Sequence, residues 1–161
     1  MLALCQVLKE NKDFATLLQK LNAGECPIAL SGLSSVHKAH IISAVRMETK
    51  RQVVCIYADE LDARRAARDI SVMCDEEARI LPSLELSLHD VDSSSNESMH
   101  ERLATLKALA DGSSGVTLAP VFSLMQRCAP PEGILGKTLT LKTGEELSQE
   151  VLCEKDRKSV V

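Results

Sequence analysis

Short apolar runs that favour β-strands alternate with amphipathic helical stretches along this 161-residue chain, and no other feature restricts its fold as strongly. The apolar runs predict four strands, at residues 26–30, 52–57, 78–81 and 116–119. Strands that are apolar on both sides must be covered on both faces. The alternation therefore predicts an α/β fold in which a parallel sheet carries helices on both faces, joined by right-handed crossovers.

The stretches between these runs repeat apolar residues every three or four positions, which is the period of an α-helix. They predict helices over residues 14–21, 36–47, 61–73, 99–110 and 121–127, with Asp13 and Asp59 as N-caps and Gly24 as a stop signal. A polar, serine-rich stretch at residues 83–98 is predicted to be the longest irregular connection.

Pro130 and Pro131 mark the predicted domain boundary. Residues 1–131 are predicted to form the first domain. Residues 132–155 would supply only the short β-α start of a second domain, with a strand at 137–141 and a helix whose capping box begins at Thr143. This second segment is too short to bury a core of its own.

Composition excludes several classes of function. A formal net charge of −4 argues against an autonomous nucleic-acid binder, because such binding depends on clustered Lys and Arg. Aromatic residues make up only 2% of the chain, so stacking platforms for single-stranded nucleic acid are not expected. The six cysteines form no CxxC motif, and the sequence indicates neither an export signal nor a membrane segment. The reduced cytoplasm is therefore the expected compartment.

A phosphate-loop-like turn lies where the first predicted strand meets its helix, the edge at which open α/β sheets bind ligands. Measured against the pattern G-x-x-x-x-G-K-[ST], residues 32–39 keep the first glycine as Gly32 and the lysine as Lys38. His37 replaces the second glycine, which normally lets the backbone approach phosphate. Ala39 replaces the hydroxyl that ligates Mg²⁺, so ATP hydrolysis is not expected.

The residues of this degenerate phosphate loop are therefore assigned no catalytic and no metal-binding role. They are Gly32, Ser34, Ser35, His37, Lys38 and Ala39. An alternative keeps a reduced function, because free amides at a helix N-terminus together with Lys38 attract anions. On that hypothesis the chain is a nucleotide- or anion-binding module.

A second alternative is a small serine hydrolase. Residues 32–36 are similar to a G-x-S-x-G nucleophile elbow that lacks its second glycine, with Ser34 as nucleophile and His89 or His100 as base.

The sequence offers two possible metal sites, and the pattern favours each of them less than the hydrolase. His37 and His40 stand three residues apart on a predicted helix, and Asp90 and Asp92 lie in a polar stretch that favours turns.

Three long stretches, at residues 27–45, 51–70 and 101–127, closely resemble the N-terminal region of bacterial transcription-repair coupling factors. The resemblance implies a first domain like that of excinuclease B: a helicase-like α/β fold, related to P-loop NTPases, whose phosphate loop has decayed. Excinuclease B itself carries an aromatic hairpin that grips damaged DNA. Residues 83–99 contain no Phe, Tyr or Trp, so that activity is not expected here.

For the intact protein, the resemblance implies an ATP-driven translocase on double-stranded DNA that displaces stalled RNA polymerase and recruits excinuclease A. ATP and magnesium would act in later motor domains, and no cofactor is expected in this segment. The segment itself is then a non-catalytic scaffold that lacks most partner-contacting surfaces. Residues 156–161 depart from the family pattern and match a peptide encoded by a common sequencing adapter, so they are interpreted as an artefactual tail.

Overall fold

The computed structural model describes residues 7–84, 93–139, 143, 144, 148–150 and 153, except for the side chains of residues 93–96. Within these residues the helices are α1 (Lys12–Ala23), α2 (Ser35–Thr49), α3 (Glu60–Cys74), α4 (Ser93–Ala110), α5 (Val121–Leu124) and α6 (Pro131–Lys137). The strands are β1 (Val53–Tyr57), β2 (Arg79–Ile80) and β3 (Val116–Pro120). None of the described helices is long and apolar enough to cross a lipid bilayer.

The described strands form one parallel sheet in the order β1-β3-β2. Val53 lies opposite Val116 and Tyr57 opposite Pro120, so β1 pairs with β3 along its whole length. On the other side of β3, Arg79 lies opposite Thr117 and Ile80 opposite Leu118. The α/β class with a parallel sheet is therefore confirmed, and β3 is its central strand.

The strand predicted at residues 26–30 is wrong, because these residues pair with no described strand. Pro27 has no N–H group to donate to a sheet. Ile28 packs instead against the cluster that Phe14, Leu17 and Ala44 form between α1 and α2. The apolar run is thus explained by helix packing, and β1 is left as the outer strand on this side of the described sheet.

The main core lies between the sheet and α3. Val116 and Leu118 of β3 pack against small residues of α3, which let the helix approach the sheet closely. The residues that α3 buries are Ala63, Ala66, Ala67 and Ile70, which repeat at the predicted helical spacing. The Asp59 cap is also confirmed, since its Oδ1 accepts a hydrogen bond from the Asp62 amide at 2.8 Å.

Both faces of β3 are buried, whereas one face of β1 is exposed. Side chains alternate across a strand, and Thr117 and Ala119 on the second face of β3 are as buried as Val116 and Leu118 on the first. On β1, Val54 is 52% exposed and Ile56 is 63% exposed. The prediction of helices on both faces is therefore only partly correct.

Helix α4 begins at Ser93, so the second half of the predicted irregular stretch at 83–98 is helical. Met99, Leu103, Leu106 and Ala110 recur at helical spacing, so the sequence predicts that they form the buried face of this helix. The apolar stripe through Met99 and Leu103 is largely exposed, whereas Arg102, Thr105 and Ala108 are buried. Thr105 Oγ1 donates to the carbonyl of Ile80 at 2.7 Å, and Arg102 donates to two further carbonyls. Backbone acceptors near the strands therefore decide which face of α4 is buried.

Pro131 begins a helix, and no strand follows it among the described residues. Proline fits the first helical position, since its missing N–H would have no partner there and its φ is already helical. Lys137, the predicted first residue of a strand, is the last residue of α6, and residues 140–142 lie outside the described part of the chain. Helix α6 contacts α4. The boundary after residue 131 stays a prediction.

An ion pair joins α2 to the turn after α3 and gives the fold an acid-sensitive contact. Arg46 donates from Nε and Nη2 to the two carboxylate oxygens of Glu76, at 3.0 and 2.9 Å. These hydrogen bonds hold the pKa of Glu76 below its ordinary value. A carboxyl group with a lowered folded-state pKa stabilises the fold above its unfolded pKa, and that stability is lost as the pH falls through the folded value.

We therefore expect Glu76→Gln to lower the urea midpoint at pH 7, and this difference from the wild type to shrink as the pH falls below about 4.5. Urea unfolding at a series of pH values between neutral and acid measures it. Glu77→Gln is the matched control, because the Glu77 side chain is 80% exposed and lies 3.9 Å from Arg79. A wild type and Glu76→Gln that differ equally at every pH would contradict the expectation.

Candidate functional site

The degenerate phosphate loop connects residues 25–31, which form neither helix nor strand, to the N-terminus of α2. Gly32 has φ +75°, a left-handed conformation that favours glycine at this sharp change of direction. In a working phosphate loop the turn is held between a sheet strand and a helix. Here the described structure supplies the helix, but the preceding segment lies outside the described sheet and is held by the packing of Ile28 against the cluster between α1 and α2.

Ser34 is the N-cap of α2. Its Oγ accepts a hydrogen bond from the His37 amide at 3.4 Å and lies 3.1 Å from Nδ1 of the His37 ring. Both residues are exposed. The hydroxyl and the imidazole thus satisfy each other and the first turn of the helix, which is an ordinary capping arrangement.

Ser35 and Lys38 face a different direction. They line an open cleft of about 1030 Å³ between α2, the end of β1 and α3. Lys38 is exposed and forms no ion pair with any residue that the structure describes. Its ammonium group and the amides of the first helical turn are the features of this loop that attract anions.

Ala39 points into the protein. It is fully buried in the main core, beside Ala63, Ala66 and Ile70 of α3. In a phosphate loop this position carries the hydroxyl that binds Mg²⁺. A side chain enclosed among apolar residues of a neighbouring helix reaches no nucleotide, so the replacement of the hydroxyl by a methyl group suits a packing role.

The predicted site residues are therefore not brought together in one cradle. Ser34 and His37 bond to each other at the helix end, Ser35 and Lys38 line the cleft, and Ala39 is in the core. A phosphate loop works because lysine and hydroxyl converge on the same phosphate groups. The arrangement supports weak anion attraction at Lys38 and offers no described route to nucleotide hydrolysis.

The charges of the cleft partly offset one another. Arg65 and Arg68 line it, and so do Asp62 and Asp69. Arg65 pairs with Asp62 at 3.3 Å, although its spacing from Asp69 also suits an ion pair. On the floor of the cleft, burial raises the pKa of the Cys55 thiol to about 11, so it stays a protonated, unreactive thiol at neutral pH.

For the serine-hydrolase alternative, the structure offers a different base from the two that were predicted. The described imidazole that lies within hydrogen-bond distance of Ser34 Oγ is that of His37. His100 is exposed on α4, and His89 lies outside the described residues. No described carboxylate bonds to His37, so the third member that orients a catalytic base is missing from this part of the chain.

The metal-binding alternatives find no support in the described residues, which contain no group of three or more His, Cys, Asp or Glu placed to hold an ion. His37 and His40 therefore have no described third ligand beside them. Asp90 and Asp92 lie outside the described part of the chain.

At the carboxyl ends of β2 and β3, the structure shows a set of hydrogen bonds that sequence reasoning missed. Arg102 donates from Nη1 to the Pro82 carbonyl at 2.8 Å and from Nη2 to the Ser123 carbonyl at 3.1 Å. Gln126 bonds to both the amide and the carbonyl of Leu84, at 3.0 and 2.7 Å. These side chains join the segments that follow the two strands, at the edge where open α/β sheets usually bind ligands.

Fold and site together define an α/β chain whose turn before α2 keeps Gly32 and Lys38 of the phosphate-loop pattern and carries His37 and Ala39 at its other two fixed positions. The chain is similar to several transcription-repair-coupling factors, which confirms the resemblance of its three long stretches to that family. It is 23% identical to the factor of Bacillus subtilis over 149 residues and 26% identical to that of Staphylococcus aureus over 156 residues, which cover 92% and 96% of the chain. It is 28% identical to the factor of Haemophilus influenzae over 106 residues, which cover 66% of the chain.

The chain spans about 13% of the length of the first two of these relatives and 9% of the third. No protein-family model matches it, and no solved structure matches it significantly. The similarity therefore rests on the sequences of these much longer proteins.

Proposed function

We propose that this chain is a non-catalytic, helicase-like scaffold domain of a transcription-repair coupling factor. The single observation that carries the proposal is the burial of Ala39 in the core between α2 and α3. The position that would hold magnesium in an ancestral phosphate loop has become part of the packing. On this proposal, this corner of the domain contributes to stability and not to nucleotide binding.

Exposed apolar side chains favour the proposal that this domain packs against other domains of a longer protein. Val54 and Ile56 on β1 are largely exposed, and so are Phe122 and Met125 beyond β3, at 67% and 75%. Side chains of this kind commonly mark surfaces that pack against other domains. On this proposal, ATP and magnesium bind elsewhere in the whole protein, which acts in the cytoplasm on double-stranded DNA, RNA polymerase and excinuclease A.

The proposal is tested by nucleotide binding and turnover. The purified chain is expected to show no magnesium-dependent ATP binding by calorimetry and no ATPase activity above a buffer blank. Lys38→Ala should leave both measurements unchanged. ATPase activity that disappears in Lys38→Ala would contradict the proposal.

Restoring the loop pattern gives a sharper comparison. His37→Gly changes an exposed residue and is expected to cost less than about 1 kcal/mol, through loss of helix propensity. Ala39→Thr adds a hydroxyl and a methyl group to a filled core and is expected to lower the free energy of unfolding by about 1–3 kcal/mol. Urea unfolding measures both. A double variant that gains magnesium-dependent ATP binding without losing stability would overturn the assignment of Ala39 to the core.

A second candidate function is anion binding without catalysis, favoured by the position of Lys38 and Ser35 on the cleft. Titration with inorganic phosphate, followed by amide NMR shifts at the start of α2, distinguishes it. Saturable shifts that are lost in Lys38→Ala but kept in Lys20→Ala, an exposed lysine on α1, would favour this candidate. Shifts that do not saturate would exclude it.

A further inference from the structure

The outer edge of β1 is open in the described part of the chain. Among the described strands, β1 pairs with β3 alone, and the Val53 amide donates to the Gly115 carbonyl at 3.0 Å. Along a strand, the backbone N–H and C=O groups of successive residues point to opposite sides. Those of Val54 and Ile56 therefore point away from β3, toward a side where no described strand lies. An open edge of this kind is a template for a further strand.

The cleft beside α2 lies along this edge. Cys55 and Tyr57 line it from one face of β1, and Ile56 lines it from the other. Successive side chains of a strand point to opposite faces of the sheet. A cleft that contacts both sets of side chains is therefore beside the strand and not above one of its faces.

The other walls of the cleft are largely apolar. Leu30 and Leu33 contribute from the segment before α2, and Ile41 and Ile42 contribute from α2 itself. An extended segment of apolar residues suits these surroundings, because its backbone pairs with the open edge and its side chains contact the apolar walls. A small apolar molecule of the same volume would leave the backbone groups of β1 unpaired.

The charge at one end of the cleft indicates which residue follows such a segment. Lys38 lies in the first turn of α2, lines the cleft and forms no ion pair with any described residue. Its neighbour Ala39 packs beside Ala63 in the first turn of α3, which follows the carboxyl end of β1. A strand parallel to β1 would thus bring its own carboxyl end toward Lys38 and the free amides of α2, which favour an acidic residue.

We propose that the cleft accepts one extended strand from the part of a longer protein that lies outside this chain. The strand runs parallel to β1, as all the described strands do, pairs with Val54 and Ile56, and is followed by an acidic residue. The proposal rests on the function proposed above, which makes this chain one domain of such a protein. The chain spans about 13% of the length of two of its relatives, so most of their length is available to supply the strand.

A synthetic peptide added to the full chain tests the proposal. The peptide Lys-Lys-Val-Thr-Val-Ile-Val-Asp, blocked at both ends, supplies an apolar strand, an acidic residue and two lysines for solubility. At saturation, NMR-detected hydrogen exchange should become at least about 10-fold slower at the amides of Val54 and Ile56. The same peptide with N-methyl groups on its four central residues cannot donate hydrogen bonds there and should bind at least about 10-fold more weakly.

Two pairs of variants test the edge and the charge separately. Val54→Pro removes an N–H that the described sheet does not use, and it should weaken binding at least about 5-fold, whereas Val54→Ala should stay within about 2-fold of the wild type. Changing the peptide's Asp to Asn should weaken binding roughly 2- to 5-fold. This difference should shrink in Lys38→Ala and persist in Lys20→Ala, which changes an exposed lysine on α1.

Several results would overturn the proposal. They are unchanged exchange at Val54 and Ile56 with saturating peptide, equal binding of the N-methylated peptide, and slow exchange at both amides before any peptide is added. Slow exchange that appears only at high protein concentration, together with a dimer mass by light scattering, would assign the edge to a second copy instead. Peptide binding is independent of ATP turnover: a chain that binds the peptide and hydrolyses ATP would keep the strand site and reject the non-catalytic scaffold, and a chain that does neither would do the reverse.

Discussion

Leu118→Ala is expected to lower the free energy of unfolding by about 2–5 kcal/mol, a large share of the total for a domain of this size. Leu118 lies at the centre of β3, between β1 and β2, and is fully buried against α3. Truncation removes the side chain from a core made mostly of alanine, valine and isoleucine. These short side chains cannot extend into the space, so the cavity persists and its cost adds to the lost burial.

Urea unfolding followed by circular dichroism measures the loss as a shift of the midpoint at unchanged slope. Leu103→Ala is the matched control, because it is the same chemical change on the exposed side of α4, where Leu103 is 53% exposed. Alanine is the better helix former, so the control should stay within about 0.5 kcal/mol of the wild type. Equal losses in the two variants would show that β3 is not the centre of the core.

Local signals made the helices predictable from the sequence. Gly24 ends α1 with φ +74°, and Asp59 caps α3, as their positions in the pattern indicate. The start of α1 shows the limit of such signals. Asn11 is the cap and Asp13 lies in the first turn, because the amide oxygen two residues earlier reaches the free N–H groups. Capping depends on residues close in sequence, so errors of this kind stay small.

Strand pairing was less predictable, because it depends on distant residues. The apolar run at 26–30 has the composition of a strand, but Ile28 packs against apolar residues of α1 and α2.

The geometry of the degenerate phosphate loop also depends on residues that are distant in sequence. The pattern identifies Gly32 and Lys38 by spacing, whereas the direction of Ala39 follows from where α2 begins and from the helix packed against it.

The face of α4 was misjudged for a related reason. Its periodicity favours burial of Met99 and Leu103, yet Arg102 is the buried residue. Its guanidinium donates to the carbonyls of Pro82 and Ser123, which follow two different strands. Because both acceptors are distant in sequence, no local pattern around Arg102 predicts these hydrogen bonds. A buried arginine on an amphipathic helix is visible only once the sheet has brought its acceptors together.

Arg102→Met is therefore expected to lower the free energy of unfolding by about 2–4 kcal/mol, although it removes a buried charge. Replacing both members of a buried polar pair by apolar groups is often neutral. Here the acceptors are backbone carbonyls that remain in place, so the variant leaves two of them without their donors. Arg102→Lys keeps the charge but offers a single donor head, and an intermediate loss is expected.

Urea unfolding and native-state amide exchange together test this account of Arg102. In Arg102→Met, amide hydrogen exchange should become faster at residues 83–84 and 121–124 before it becomes faster in α1. These two segments are the ones that the guanidinium joins in the wild type. Arg65→Met is the matched control: the Arg65 side chain is 61% exposed and pairs only with Asp62 among the described ion pairs, so less than about 1 kcal/mol is expected. An Arg102→Met variant as stable as this control would mean that the two carbonyls do not need the guanidinium, and it would contradict this account of the burial of Arg102.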